Sequence, residues 1–220
     1  EGTKANEIVI NNNYFKKFNK YDFINRKITQ SNYKNIYKKN IQKLKIKEKK
    51  KIKKFILKIL RKINIPKIFK LINIIVVNDI EKGMPHTHKD SIIFNKNYLI
   101  NIGYGKNFIR LLGHEQLHIF QRLNPKLISN LYTKYWDSNY LNSLPRKLKN
   151  IVRTNPDALP DNNWVFRIKN GNYILPLCIY NKNNLGDLTN TFNVYFNLDK
   201  NLKFIDLDGE LENLNFLENN

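Results

Sequence analysis

Two histidines four residues apart, with a glutamate directly after the first, stand in the segment His114-Glu115-Gln116-Leu117-His118. On an α-helix, residues i and i+4 share a face, so both imidazoles can reach one metal ion. Glu115 is turned about 100° from His114 around such a helix, which sets its carboxylate beside the ion and within reach of a water on it. The spacing is that of H-E-x-x-H zinc chemistry, with His114 and His118 as ligands and Glu115 as general base.

The neighbouring residues supply the helix this chemistry needs. Phe108, Leu111, Leu112, Ile119 and Phe120 recur at helical spacing, Asn107 suits an N-cap, and Pro125 ends the run. A helix over 108–122 is predicted. Gly113 costs such a helix about 1 kcal/mol against Ala, so a close backbone neighbour is expected there.

Two histidines leave a catalytic zinc one protein ligand short. Asp157 is the first choice for the third, because Asn155-Pro156-Asp157 is a Pro-braced loop and a carboxylate on it is rigid and accessible. Asp137, His86 and His88 are the alternatives. His88 also suits a group that holds substrate or the transition-state oxyanion, and Tyr132, Tyr135 and Arg153 are further oxyanion candidates. Glu210 and Glu212 read as solvated residues of an acidic tail.

The stretch Leu111-Leu112-Gly113-His114-Glu115-Gln116-Leu117-His118-Ile119-Phe120 resembles the active-site helix of the zincin metallopeptidases. More loosely, the run from Met84-Pro85-His86-Thr87-His88 through Arg153-Thr154-Asn155-Pro156-Asp157 resembles uncharacterised zincin-like proteins of large DNA viruses and microbes. The resemblance implies a zinc peptidase that acts on a peptide or protein substrate, with a cytoplasmic or virion-associated location. It also implies an edge strand ahead of the motif helix that pairs with an extended substrate backbone.

The elements around the motif read as an α+β, zincin-like fold in three consecutive parts. Residues 1–70 form a basic helical region. Within it, 14–47 make one or two helices packed through aromatics, and Lys47 to Asn64 is amphipathic, with Ile52, Phe55, Ile56, Ile59, Leu60 and Ile63 on one stripe. Residues 71–160 form the catalytic core, with strands at Leu71–Val77 and Ser91–Phe94, then the motif helix and a second helix opened by Pro125. Residues 161–220 carry two β-hairpins, Trp164–Ile168 with Tyr173–Tyr180 and Thr191–Asn197 with Leu202–Leu207. Pro176 puts its strand at an edge or on a bulge.

The net charge of +21 is unevenly spread. Residues 1–85 hold 23 Lys or Arg against 6 Asp or Glu, whereas the remainder holds 16 against 12. Such a block attracts polyanions in low salt. With only seven Arg to make forked contacts, sequence-specific nucleic-acid recognition is not expected. A second reading is therefore a non-catalytic, zincin-derived scaffold that binds polyanions or a virion or membrane surface through this half. No apolar run is long enough to span a membrane, and the single Cys178 excludes an internal disulfide, which fits a reducing compartment. The start, Glu1-Gly2-Thr3-Lys4, has neither an initiator Met nor a secretory pattern, as expected of a processed or partial chain.

Overall fold

The computed structural model describes residues 2–10, 14–62, 73–102, 105–158 and 163–219. They form a mixed α+β structure with two small sheets. The chain divides into two compact units that interleave along the sequence. One takes Glu1–Lys16, Thr29–Leu123 and Pro156–Leu159, and the other takes Lys17–Ile28, Asn124–Asn155 and Pro160–Asn220. The boundaries at 70 and 160 expected from composition are thus not where the units divide. Composition reports local character, whereas the units are set by which distant segments return to pack together.

The first unit is built on a three-stranded sheet in the order β1 (Asn73–Val77), β3 (Ser91–Asn95), β2 (His86–His88). β1 runs parallel to β3 and β2 antiparallel to it. The register places Ile74, Val76, Thr87, Ile92 and Phe94 on one face and Ile75, Val77, His86, His88, Ser91 and Ile93 on the other, because side chains alternate along a strand. On the first face lie the amphipathic helix α4 (Ile46–Lys62), the short α5 (Lys96–Asn101) and the motif helix α6 (Lys106–Leu123). Ile52, Leu99, Phe108, Leu112 and Ile119 pack there with Val76, Ile92 and Phe94. On the second face the Tyr14 and Phe15 rings lie tilted against His88, and Tyr37 meets Phe15 edge-on. Both faces are covered, as the β-branched runs require. Helices α1 (Gly2–Ile10) and α3 (Tyr33–Asn40) pack on each other in the same unit.

The sequence pattern locates α4 and strands β1 and β3 but not β2, since the His-Thr-His triplet reads as a polar loop. Residues 71 and 72 of the expected first strand, and 63 and 64 of the amphipathic stripe, lie outside the described residues. Strand β2 forms because Thr87 and its neighbours pair in register with Ile92, and all three of its side chains are buried.

The second unit holds an antiparallel sheet in the order β4 (Ser138–Tyr140), β5 (Trp164–Arg167), β6 (Tyr173–Tyr180), β7 (Thr191–Leu198). Helices α2 (Lys20–Arg26), α7 (Pro125–Tyr135), the single turn α8 (Arg146–Lys149) and α9 (Leu207–Asn219) belong to it. The β5–β6 hairpin forms as expected. The second does not: β7 pairs along its whole length with β6, Leu202–Leu207 contributes a single bridge at Phe204, and Leu207 opens a helix. Asp206 accepts from the Gly209 N–H and so starts that helix, which is a capping signal stronger than the weak alternation of 202–207. Pro176 sits in the interior of β6 and not at an edge, opposite Tyr195. It is tolerated because β5 pairs only up to Ile174 while 151–153 pairs from Cys178 onward, so its missing N–H falls in the gap between them.

Candidate metal centre

Helix α6 extends from Lys106 to Leu123, so Asn107 lies inside it and does not cap it. Its periodicity turns Phe108, Leu112, Glu115 and Ile119 toward the sheet and leaves His114 and His118 on the adjoining shoulder. The two imidazoles approach with Nε2 atoms 3.0 Å apart and ring planes at 88°. Two nitrogens on a tetrahedral zinc at 2.0–2.1 Å stand roughly 3.3 Å apart, so the pair needs little movement to share an ion. Partial burial lowers the pKa of His118, and nearby His114 lowers it further against the opposing pull of Asp157. This favours the neutral imidazole, the form that can ligate.

Glu115 is 2% exposed, and its Oε2 has no hydrogen-bond partner among the described residues. Burial first, then the Asp157 carboxylate, push its pKa up to about 8, with Arg122 pulling the other way. An unsatisfied buried carboxyl oxygen costs about 1–3 kcal/mol. Gly113 has nothing within 4 Å of where a Cβ would stand, which corrects the close approach expected of it. It lies on the open side of the helix, next to an exposed His114.

Asp157 is brought to this helix by a relay that the sequence did not reveal. Arg122, one turn after His118, donates to the Lys89 carbonyl at 2.8 Å, to Thr87 Oγ1 at 2.8 Å and to the Pro156 carbonyl at 3.1 Å. Thr87 in turn donates to Asp157 Oδ1 from its backbone N–H at 2.6 Å and its hydroxyl at 2.9 Å. The only prior signal was the recurrence 114, 118, 122 along one flank of the helix. Among the described residues no three His, Cys, Asp or Glu side chains gather around one point. The Asp157 charge acts on both Glu115 and His118, but the three side chains do not converge on one point.

The other candidates lie elsewhere. His88 is on the sheet face away from α6, buried, with its ring 5.2 Å from those of Tyr14 and His86. This corrects the expectation that it meets substrate, because strand alternation sends Thr87 toward α6 and its two neighbours away. His86 shares that face and holds its Nδ1 2.8 Å from the Met84 carbonyl. Asp137 pairs with Arg167 at 3.2 Å within the second unit. There too Tyr132 stacks on Trp136 and meets Trp164 edge-on. Glu210, on α9, accepts from Asn197 and is not part of a solvated tail.

No protein-family model, curated protein or solved structure matches this chain. The donor set must speak for itself. Two imidazoles on one helical flank, the Asp157 carboxylate acting on His118 and a buried Glu115 carboxyl oxygen without a partner are donors of the types that zinc takes.

Proposed function

We propose that the chain is a zinc-dependent peptidase. The observation that carries this reading is the convergence of the His114 and His118 Nε2 atoms beside Glu115, whose buried Oε2 has no partner. His114 and His118 would hold the metal, with Asp157 as the third ligand. Bound there, zinc would polarise a carbonyl, acidify water and, by its charge, favour the ionised form of Glu115. Glu115 Oε2 takes the proton of the attacking water and returns it to the leaving amine. The packed floor of Phe108, Leu112 and Ile119 fixes the helix turn that carries all three motif side chains.

Strand addition at β2, the substrate mode implied by the zincin resemblance, requires a change in this arrangement. Thr87 directs its outward N–H to Asp157, so a substrate backbone must enter elsewhere or displace that contact.

Two measurements test the function together. Elemental analysis should find one zinc per chain, lost in His114→Ala and His118→Ala. Glu115→Gln should keep the zinc and the fold while hydrolysis of an unstructured protein substrate falls by a factor on the order of 10² or more. Full zinc retention in both histidine variants, or undiminished turnover in Glu115→Gln, sinks the assignment.

A second reading, a polyanion-binding scaffold, draws support from α4. Lys47, Lys49, Lys50, Lys51, Lys53, Lys54 and Lys58 are all exposed. Among the described residues no helix is long and apolar enough to cross a membrane. Ile52, Phe55 and Ile56 of the apolar stripe are used in the core, which leaves the outward side of α4 rich in lysine.

A further inference from the structure

A guanidinium can only donate hydrogen bonds, so the Arg122 contact with Thr87 Oγ1 fixes the direction of the next link. The threonine hydroxyl must send its own proton onward, to Asp157 Oδ1. The Thr87 N–H reaches the same oxygen, so Oδ1 takes two hydrogen bonds from one residue. At the other end, Arg122 holds the carbonyl of Pro156, directly before Asp157, and that of Lys89, directly after β2. Loop, edge strand and motif helix are thereby joined at one side chain, one helical turn from His118.

We propose that Arg122 and Thr87 are positioning residues that present the Asp157 carboxylate to the His114 and His118 pair as the third metal-binding group. This rests on the zinc reading above. The two hydrogen bonds from Thr87 to Oδ1 fix the orientation of the carboxylate. Carboxylate ligands of metals are oriented in this way by hydrogen bonds from behind, and losing such a partner weakens metal binding by about 10–100-fold. A lysine at 122 cannot replace the arginine, because one ammonium group cannot span the carbonyls of Lys89 and Pro156 and the Thr87 hydroxyl together.

The test is a competition titration of Zn²⁺ against a chromophoric chelator, with circular dichroism to confirm the fold of each variant. Thr87→Val should bind zinc about 10–100-fold more weakly than the unaltered chain, and Thr87→Ser, which keeps the hydroxyl, should restore the affinity. Asp157→Asn should weaken binding at least as much. The double variant Thr87→Val with Asp157→Asn should match Asp157→Asn alone, because Thr87 acts through Asp157. Arg122→Lys gives an independent arm and should also weaken binding, which keeps the test alive if Thr87→Val does not fold. Unchanged affinity in Thr87→Val or Arg122→Lys, or an undiminished Thr87→Val effect in the Asp157→Asn background, overturns the positioning role alone. If the unaltered chain takes up no zinc, this proposal and the peptidase reading fall together.

Discussion

Thr87 donates twice to a single oxygen of Asp157, seventy residues further along the chain, from its N–H at 2.6 Å and its hydroxyl at 2.9 Å. The contact closes the outward side of an edge strand with a side chain from a loop, a common way to protect such an edge. It also ties that loop to the helix that carries the two histidines. The loop and the sheet edge therefore depend on the same carboxylate.

Glu115→Leu should make the metal-free protein more stable while abolishing hydrolysis. The substitution replaces a buried carboxyl whose Oε2 has no partner with an apolar group of similar size, and the relief should be about 1–3 kcal/mol. Urea denaturation of the two proteins in the presence of a chelator measures it. A loss of stability would mean that the carboxyl has a structural role.

Gly113→Ala should stabilise the fold by about 0.5–1 kcal/mol, since the position is helical and a Cβ there meets nothing. Zinc uptake should be unaltered. Thermal denaturation with metal analysis checks both, and a destabilised variant would show that the open space is needed.

Acid should weaken the first unit through His88. Burial first, then His86, hold its pKa well below 6.5, with Arg122 acting the same way and Glu81 opposing. Below about pH 6.5 the unfolded chain therefore binds a proton that the folded chain refuses, and stability falls as the pH drops. Glu115 acts in the opposite sense, because its raised pKa removes stability as the pH rises toward 8. Comparing the unaltered chain with His88→Leu between pH 7.5 and 5 isolates the histidine: the variant should lose less stability over that range.

In the second unit, Asp22 accepts from Arg26 at 2.7 Å, from the Tyr180 hydroxyl at 2.8 Å and from Thr154 through both N–H and hydroxyl. All of its side chain and nearly all of Arg26's are buried. Asp22→Ala leaves the buried Arg26 guanidinium without its opposite charge and should cost about 3–5 kcal/mol, whereas Tyr180→Phe removes a donor to Asp22 and an acceptor of Arg26 and should cost about 1.5–3. Chemical denaturation gives both values, and equal costs would contradict this ranking.

Retention of the protein on heparin should fall steeply between 50 and 200 mM salt, and Lys50→Gln, Lys53→Gln and Lys54→Gln together should lower the salt needed for elution. These side chains are exposed and lie outside the candidate centre, so zinc content should not change. Elution unaffected by the triple substitution would place polyanion binding away from α4.

The sequence alone determined the features that depend on local spacing. A period of 3.6 placed His114 and His118 on one flank of a helix with Glu115 about 100° away, and the Ile52–Phe55–Ile56 stripe marked the buried side of α4. Runs such as Ile74-Ile75-Val76-Val77 and Ile92-Ile93-Phe94 announced strands. What depends on distant partners was decided only in three dimensions. Strand β2 exists because His86–His88 finds Ile92, and the same pairing sends His88 away from α6 and Thr87 toward it. Leu202–Leu207 failed to become a strand because the edge of β7 takes a single bridge and Asp206 starts a helix. Arg122, unremarkable as one of seven arginines, acquires its three carbonyl and hydroxyl partners from segments more than thirty residues away on either side. Hydrogen-bond partners of that separation leave no periodic trace in a single sequence, because nothing in the local pattern depends on them.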